Sequence, residues 1–87
     1  MTFTKEASPF GGTWYIGKEE FDEKCDIKAS AKVYDEPSEV YGIDGGKISK
    51  LEIRIGNEII ANYDRGWDIN VPEEARPLYE SLLATFN

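Results

Sequence analysis

Between residues 24 and 33 the chain alternates strictly: Cys25, Ile27, Ala29, Ala31 and Val33 are separated by Asp26, Lys28, Ser30 and Lys32. A period of two predicts a half-buried strand with Cys25 and its apolar companions facing the core and the lysines facing water. Upstream, "GTWYIGK" places Trp14 and Ile16 on one face and Tyr15 on the other, a short strand bounded by glycines and joined to the next through residues 18–22. Downstream, "KISKLEIRI" sets Leu51, Ile53 and Ile55 against Lys50, Glu52 and Arg54, and a further apolar run extends from Ile59 to Tyr63. These two runs form a hairpin. A two-residue turn at Gly56 and Asn57 would pair Leu51 with Asn62. A three-residue loop, 56–58, instead pairs Leu51 with Tyr63, Ile53 with Ala61 and Ile55 with Ile59, and places Lys50 opposite Asp64, so the longer loop is preferred.

The stretch "DEPSEVYGIDGG", 35–46, is too rich in proline, glycine and turn-forming side chains for a continuous element and reads as one long loop. In "VPEEARPLYESLLATF" the residues Ala75, Leu78, Leu82 and Phe86 recur at helical spacing, with Tyr79 and Leu83 widening the stripe. Pro72, Glu73 and Glu74 suit a helix start, and Pro77 places the first regular turn near Arg76. The order predicts an α+β domain: an antiparallel sheet of about four strands with one C-terminal helix packed on one face. The chain of 87 residues is a single domain, 1–87, with 1–11 read as a flexible N-terminal segment.

Charge narrows the partners. Seventeen acidic residues against ten basic ones give a formal net charge of −7, which opposes direct nucleic-acid binding and attraction to anionic lipid. No stretch reaches the roughly 20 apolar residues of a membrane span, and no leader pattern opens the chain, so a cytoplasmic location is expected. The single cysteine permits no intrachain disulfide, and a buried structural thiol is the favoured reading.

The sequence has no histidine, which removes imidazole acid–base chemistry, histidine triads and histidine metal sites. With one cysteine there is no cysteine-rich zinc set either, so no catalytic residue, metal site or cofactor is assigned. "YGIDGGKIS" fails as a phosphate loop, because Tyr41 stands where the first glycine belongs and Ile48 follows Lys47 directly. Its glycine amides near Lys47 and Lys50 offer a small anion nest, although a turn entering a strand is the commoner use. The acidic run "EEFDEKCD" supplies Glu19, Glu20, Asp22, Glu23 and Asp26 as a candidate partner-binding surface imitating nucleic-acid phosphate. "NYDRGWDIN", 62–70, gathers two aromatics, two carboxylates and a guanidinium around Gly66. A strand corner with positive φ at Gly66 is preferred there over a ligand grip. The ligand alternative assembles Lys47, Lys50, Tyr63, Arg65 and Trp67.

The combination of Trp14 in a first strand, Pro37 and Ser38 before the glycines of 42–46, Ile48 to Leu51 ("ISKL") and Tyr63 to Asp68 ("YDRGWD") resembles a family of short uncharacterised bacteriophage and prophage proteins. That resemblance implies binding without turnover. The expectation is a non-enzymatic inhibitor of a host defence macromolecule, anti-CRISPR-like, whose partner is a host protein such as a nucleic-acid-binding defence effector in a bacterial cytoplasm. The alternative is a small-ligand binder that sequesters a nucleotide signal.

Overall fold

A computed structural model describes residues 1–87. Six strands follow one another in chain order across a single antiparallel sheet: β1 (Phe3–Ala7), β2 (Thr13–Glu20), β3 (Asp26–Val33), β4 (Ile48–Ile55), β5 (Glu58–Asp64) and β6 (Trp67–Ile69). The helix α1 (Arg76–Phe86) closes the chain on one face. The architecture is α+β, but the sheet has six strands where the apolar pattern predicts about four. Both extra strands are edges. β1, "FTKEA", lacks alternation and pairs with β2 through the backbone, Lys5 opposite Tyr15 and Phe3 opposite Gly17. It draws residues 3–7 of the expected flexible segment into the sheet. β6 has three residues and is held by Asn62 opposite Ile69 and Tyr63 opposite Trp67.

The register sorts the side chains. Ala29 and Ala31 of β3 stand beside Ile53 and Leu51 of β4, which stand beside Ala61 and Tyr63 of β5. With Ile27, Ile43, Ile48, Ala75, Tyr79 and Leu82 these residues make the buried core beneath the helix. The alanines let α1 approach the sheet, and Leu82 fills the space between them as one of the largest fully buried side chains. Tyr15 joins this side through the ring of Phe86, 4.4 Å away, and Phe3 meets the same ring edge-on at 5.1 Å. Trp14 and Ile16 point to the opposite, uncovered face.

Several local expectations are corrected by the register. β2 continues through Gly17 to Glu20, so the hairpin turn falls at 21–25 rather than 18–22. A Cβ at Gly17 would collide with Met1 and Phe3, which explains a glycine inside the strand. Cys25 lies in that turn, before β3, partly exposed and not in the core. Lys32, expected in water, is only 8% exposed. The β4–β5 hairpin combines both readings: Gly56 and Asn57 form a two-residue turn, and a bulge at Ile60 restores Ile53 opposite Ala61 and Leu51 opposite Tyr63. Gly56 has φ of +59° at the position where the turn requires it. A second bulge, in β4 at Ser49, sends both Ile48 and Ser49 inward. α1 begins at Arg76, so Pro77 occupies an early position whose amide has no intrahelical acceptor to satisfy.

Candidate functional site

Three connections meet at one end of the sheet: the β1–β2 turn, the long β3–β4 loop and the β5–β6 corner. Between them lies an open groove of about 950 Å³, near the upper end of the roughly 300–1,000 Å³ typical of small-ligand sites. Its cations are Lys32, Lys47, Lys50 and Arg65, facing the carboxylates of Asp35 and Glu36. The acidic segment 19–26 is at the far end of β2 and β3, so a protein that is acidic overall presents a locally basic groove.

The floor is set by β3 and β4. Lys32 and Lys50 stand directly opposite one another across the strand pair, an arrangement that is unfavourable for like charges. Lys50 is relieved by Asp64, whose Oδ1 lies 3.8 Å from Nζ, while Arg65 reaches the same oxygen at 3.9 Å. Lys32 has no carboxylate within 4.0 Å; its ammonium instead lies 5.4 Å from the centre of the Tyr34 ring. Of the two facing lysines, it is the buried one, at 8% exposure, that has no carboxylate beside it. Arg65 faces the groove from the corner, its guanidinium 5.5 Å from the Tyr41 ring and its side chain 63% exposed.

The wall is a loop tied down at several points. Ser38 N and Gly46 O, Gly42 N and Ser38 O, and Gly46 N and Ile43 O are hydrogen-bonded. The Tyr63 hydroxyl donates to the carbonyl of Tyr41 at 3.0 Å. Asn87 completes the clasp: its Nδ2 donates to Ile43 O and its Oδ1 accepts from Ile48 N, both at 3.0 Å. Gly42 passes so close to the carbonyls of Gly46 and Ser38 that no Cβ fits. The amides of Gly42, Gly45 and Gly46 all donate within the loop, so the glycines serve the turn rather than an anion nest, and any anion is held by side chains.

Of the five residues expected to grip a ligand, Lys47, Lys50 and Arg65 line the groove, whereas Tyr63 and Trp67 do not. Trp67 packs edge-on between Tyr63, 5.1 Å away, and Tyr79, 5.6 Å away. It ties the corner to the helix. Gly66 has the expected positive φ, +159°, and Arg65 before it takes the left-handed conformation, with φ of +60°. Burial, then the nearby Asp44 carboxylate, push the Tyr79 phenol above its ordinary value of 10.0. Lys32, Tyr34, Tyr41 and Phe10 are groove residues that sequence reasoning missed. Lys32 was hidden by the alternation that assigns it to solvent, and Phe10 by its place in a segment without periodicity.

The acidic residues have other engagements. Asp22 accepts from the amides of Lys24 and Cys25 and from the Cys25 thiol. Those bonds, the Lys24 amide first, hold its carboxyl below the ordinary value of 3.8. Partial burial and then Asp22 raise the Cys25 thiol. Glu19 lies 3.7 Å from the N-terminal ammonium and Asp26 3.5 Å from Lys18. Glu20 and Glu23 form no ion pair. Nowhere do three or more His, Cys, Asp or Glu side chains converge as a metal centre requires, and no helix is long and apolar enough to cross a membrane.

Comparison with known proteins gives a family without an activity. No curated protein and no solved structure matches the chain. Residues 13–87, from β2 through the helix and every groove residue except the β1–β2 turn, match the family model of a domain of unknown function, DUF7678, and the chain belongs to that family.

Proposed function

We propose that the domain binds a phosphorylated small ligand in the groove and does not turn it over. The observation that carries this reading is the cross-strand pair Lys32 and Lys50, one of them buried without a carboxylate, at the floor of a groove that also holds Lys47 and Arg65. A phosphate group carries enough charge and enough acceptor oxygens to satisfy several of these donors together. The chain offers no histidine, the usual general acid–base side chain at neutral pH. Capture therefore fits better than catalysis, and sequestration of a nucleotide signal is a natural use of it. The resemblance to short phage and prophage proteins agrees with a stoichiometric role.

A protein partner is the second reading, favoured by the hairpin at the opposite end, where half-exposed Phe21 stands among Glu20, Asp22 and Glu23. That arrangement suits a basic patch on a host protein. Its weakness is the internal use of Glu19, Asp22 and Asp26.

Calorimetric titration with inorganic pyrophosphate tests the first reading. Saturable binding that weakens with salt, and weakens at least tenfold in Lys47→Ala/Arg65→Ala, is expected. No binding at low salt, or binding indifferent to the double substitution, would overturn it. Pyrophosphate recovered unhydrolysed after long incubation is the expected companion result.

A further inference from the structure

We infer that the groove's ligand is a nucleotide and that Phe10 is the residue that selects it, by stacking on the base; this rests on the phosphate reading above. Phe10 is 89% exposed, the most exposed large apolar side chain in the molecule, and it stands on the groove's lip. The turn that carries it is not loose. Ser8 N donates to Gly12 O and Gly11 N to Ser8 O, both at 3.2 Å, and the Ser8 hydroxyl accepts from Phe10 N. Gly11 and Gly12 have φ of +94° and +76° and lie against the Tyr34 ring, where a Cβ would be 3.3–3.5 Å from Cε1. The turn is thus fixed to the groove wall and holds an aromatic ring in water.

Three aromatic rings border the groove, and they differ in what already touches them. Tyr34 has Lys32 over it and Tyr41 has Arg65 over it. Phe10 has neither a cation nor a ring partner. The first two pair each ring with a cation suited to phosphate, leaving Phe10 with both faces free. An aromatic base is the group that uses such a ring, because stacking is tolerant of base identity and needs no hydrogen bonds. A phosphate near Lys32 and Lys50 and a base against Phe10 together span the groove from floor to lip. Phe10 also precedes the family-matched residues 13–87, so the base-binding wall comes from a segment outside the shared domain.

The test compares inorganic pyrophosphate with the four ribonucleoside diphosphates, which carry the same two phosphates with a base attached. Alanine substitution of a stacking ring costs about 1–3 kcal/mol, roughly 5- to 150-fold. At least one diphosphate should therefore bind the wild type about tenfold or more tightly than pyrophosphate. Phe10→Ala should remove that preference and leave pyrophosphate affinity unchanged, and Phe10→Trp should retain it. Equal affinity for pyrophosphate and every nucleotide, or a preference that survives Phe10→Ala, would overturn the role of Phe10 while the phosphate reading stands. Failure of both pyrophosphate and nucleotides to bind would overturn both. Since Phe10 supports no core contact, the alanine variant should melt with the wild type, which confirms that any loss is one of recognition.

Discussion

Asn87 is where the helix, the core and the groove wall are joined, and its removal has a calculable effect. Its side-chain amide donates to Ile43 O and accepts from Ile48 N, each at 3.0 Å. Its backbone amide also ends the helix on Leu83 O, a bond that substitution preserves. Asn87→Ala therefore deletes two neutral hydrogen bonds, each contributing about 0.5–1.5 kcal/mol net; Ile43 O keeps its bond from Gly46 N, whereas the partly buried Ile48 N–H loses its side-chain acceptor. Gly46 lies against the Asn87 side chain with no room for a Cβ between them, so the truncation also removes that contact. The expected loss is about 2 kcal/mol, at the centre of the range for two such bonds. Urea denaturation at pH 7 reads it as a lower midpoint with unchanged slope. Asn87→Asp is the informative companion, because it still accepts from Ile48 N but sets a carboxylate against the Ile43 carbonyl; it should be no more stable than the alanine variant. A loss below about 0.5 kcal/mol in Asn87→Ala, the range of an ordinary surface substitution, would refute the idea that this side chain fixes the loop.

Three further predictions follow from the same geometry. Lys32→Met should leave stability unchanged or raise it by up to about 1 kcal/mol, since it removes one of two like charges directly opposite, while pyrophosphate affinity falls; destabilisation with intact affinity would count against the site. Gly42→Ala should lower the melting temperature markedly and weaken binding, because its Cβ would meet the carbonyls of Gly46 and Ser38. Tyr79 ionises above 10.0 when folded and near 10.0 when unfolded, so its contribution is fully present below that pH and is lost as pH rises through the folded value. Melts from pH 9 to 11.5 should show the wild type declining more steeply than Tyr79→Phe, and parallel curves would contradict the assigned shift.

What the sequence reveals, and what it conceals, follows the physics of each element. β3, β4 and β5 are half-buried, so their period of two is written in Ile27, Ala29, Ala31, Leu51, Ile53 and Ala61. The helix likewise shows itself through Ala75, Leu78 and Leu82. β1 and β6 are edges whose backbone pairing is supplemented by one packed aromatic each, Phe3 on Phe86 and Trp67 on Tyr79, too few apolar positions to write an alternating signature. The bulges at Ser49 and Ile60 are equally silent, and they decide that Ile48 reaches the core and that a two-residue turn can coexist with the longer loop's register. The groove was half legible: Lys47, Lys50 and Arg65 are conspicuous beside glycines. Lys32 came to the floor because Tyr34 and the β1–β2 turn fold over it, and Phe10 came to the lip because β1 brings residues 8–12 back to the start of β2. Trp67 went the other way, because Tyr79 of the helix offered it a ring to pack against.

Ligand recognition by the basic groove, and not by the acidic end of the sheet, has a direct spectroscopic signature. A titration of the isotopically labelled protein with pyrophosphate, followed by amide chemical shifts, reads both ends in one experiment. Saturable shifts are expected at residues 32–35, 41–50 and 65, with residues 19–26 and 56–58 unmoved. Shifts concentrated in 19–26, or a spectrum unchanged at saturating pyrophosphate and low salt, would contradict it.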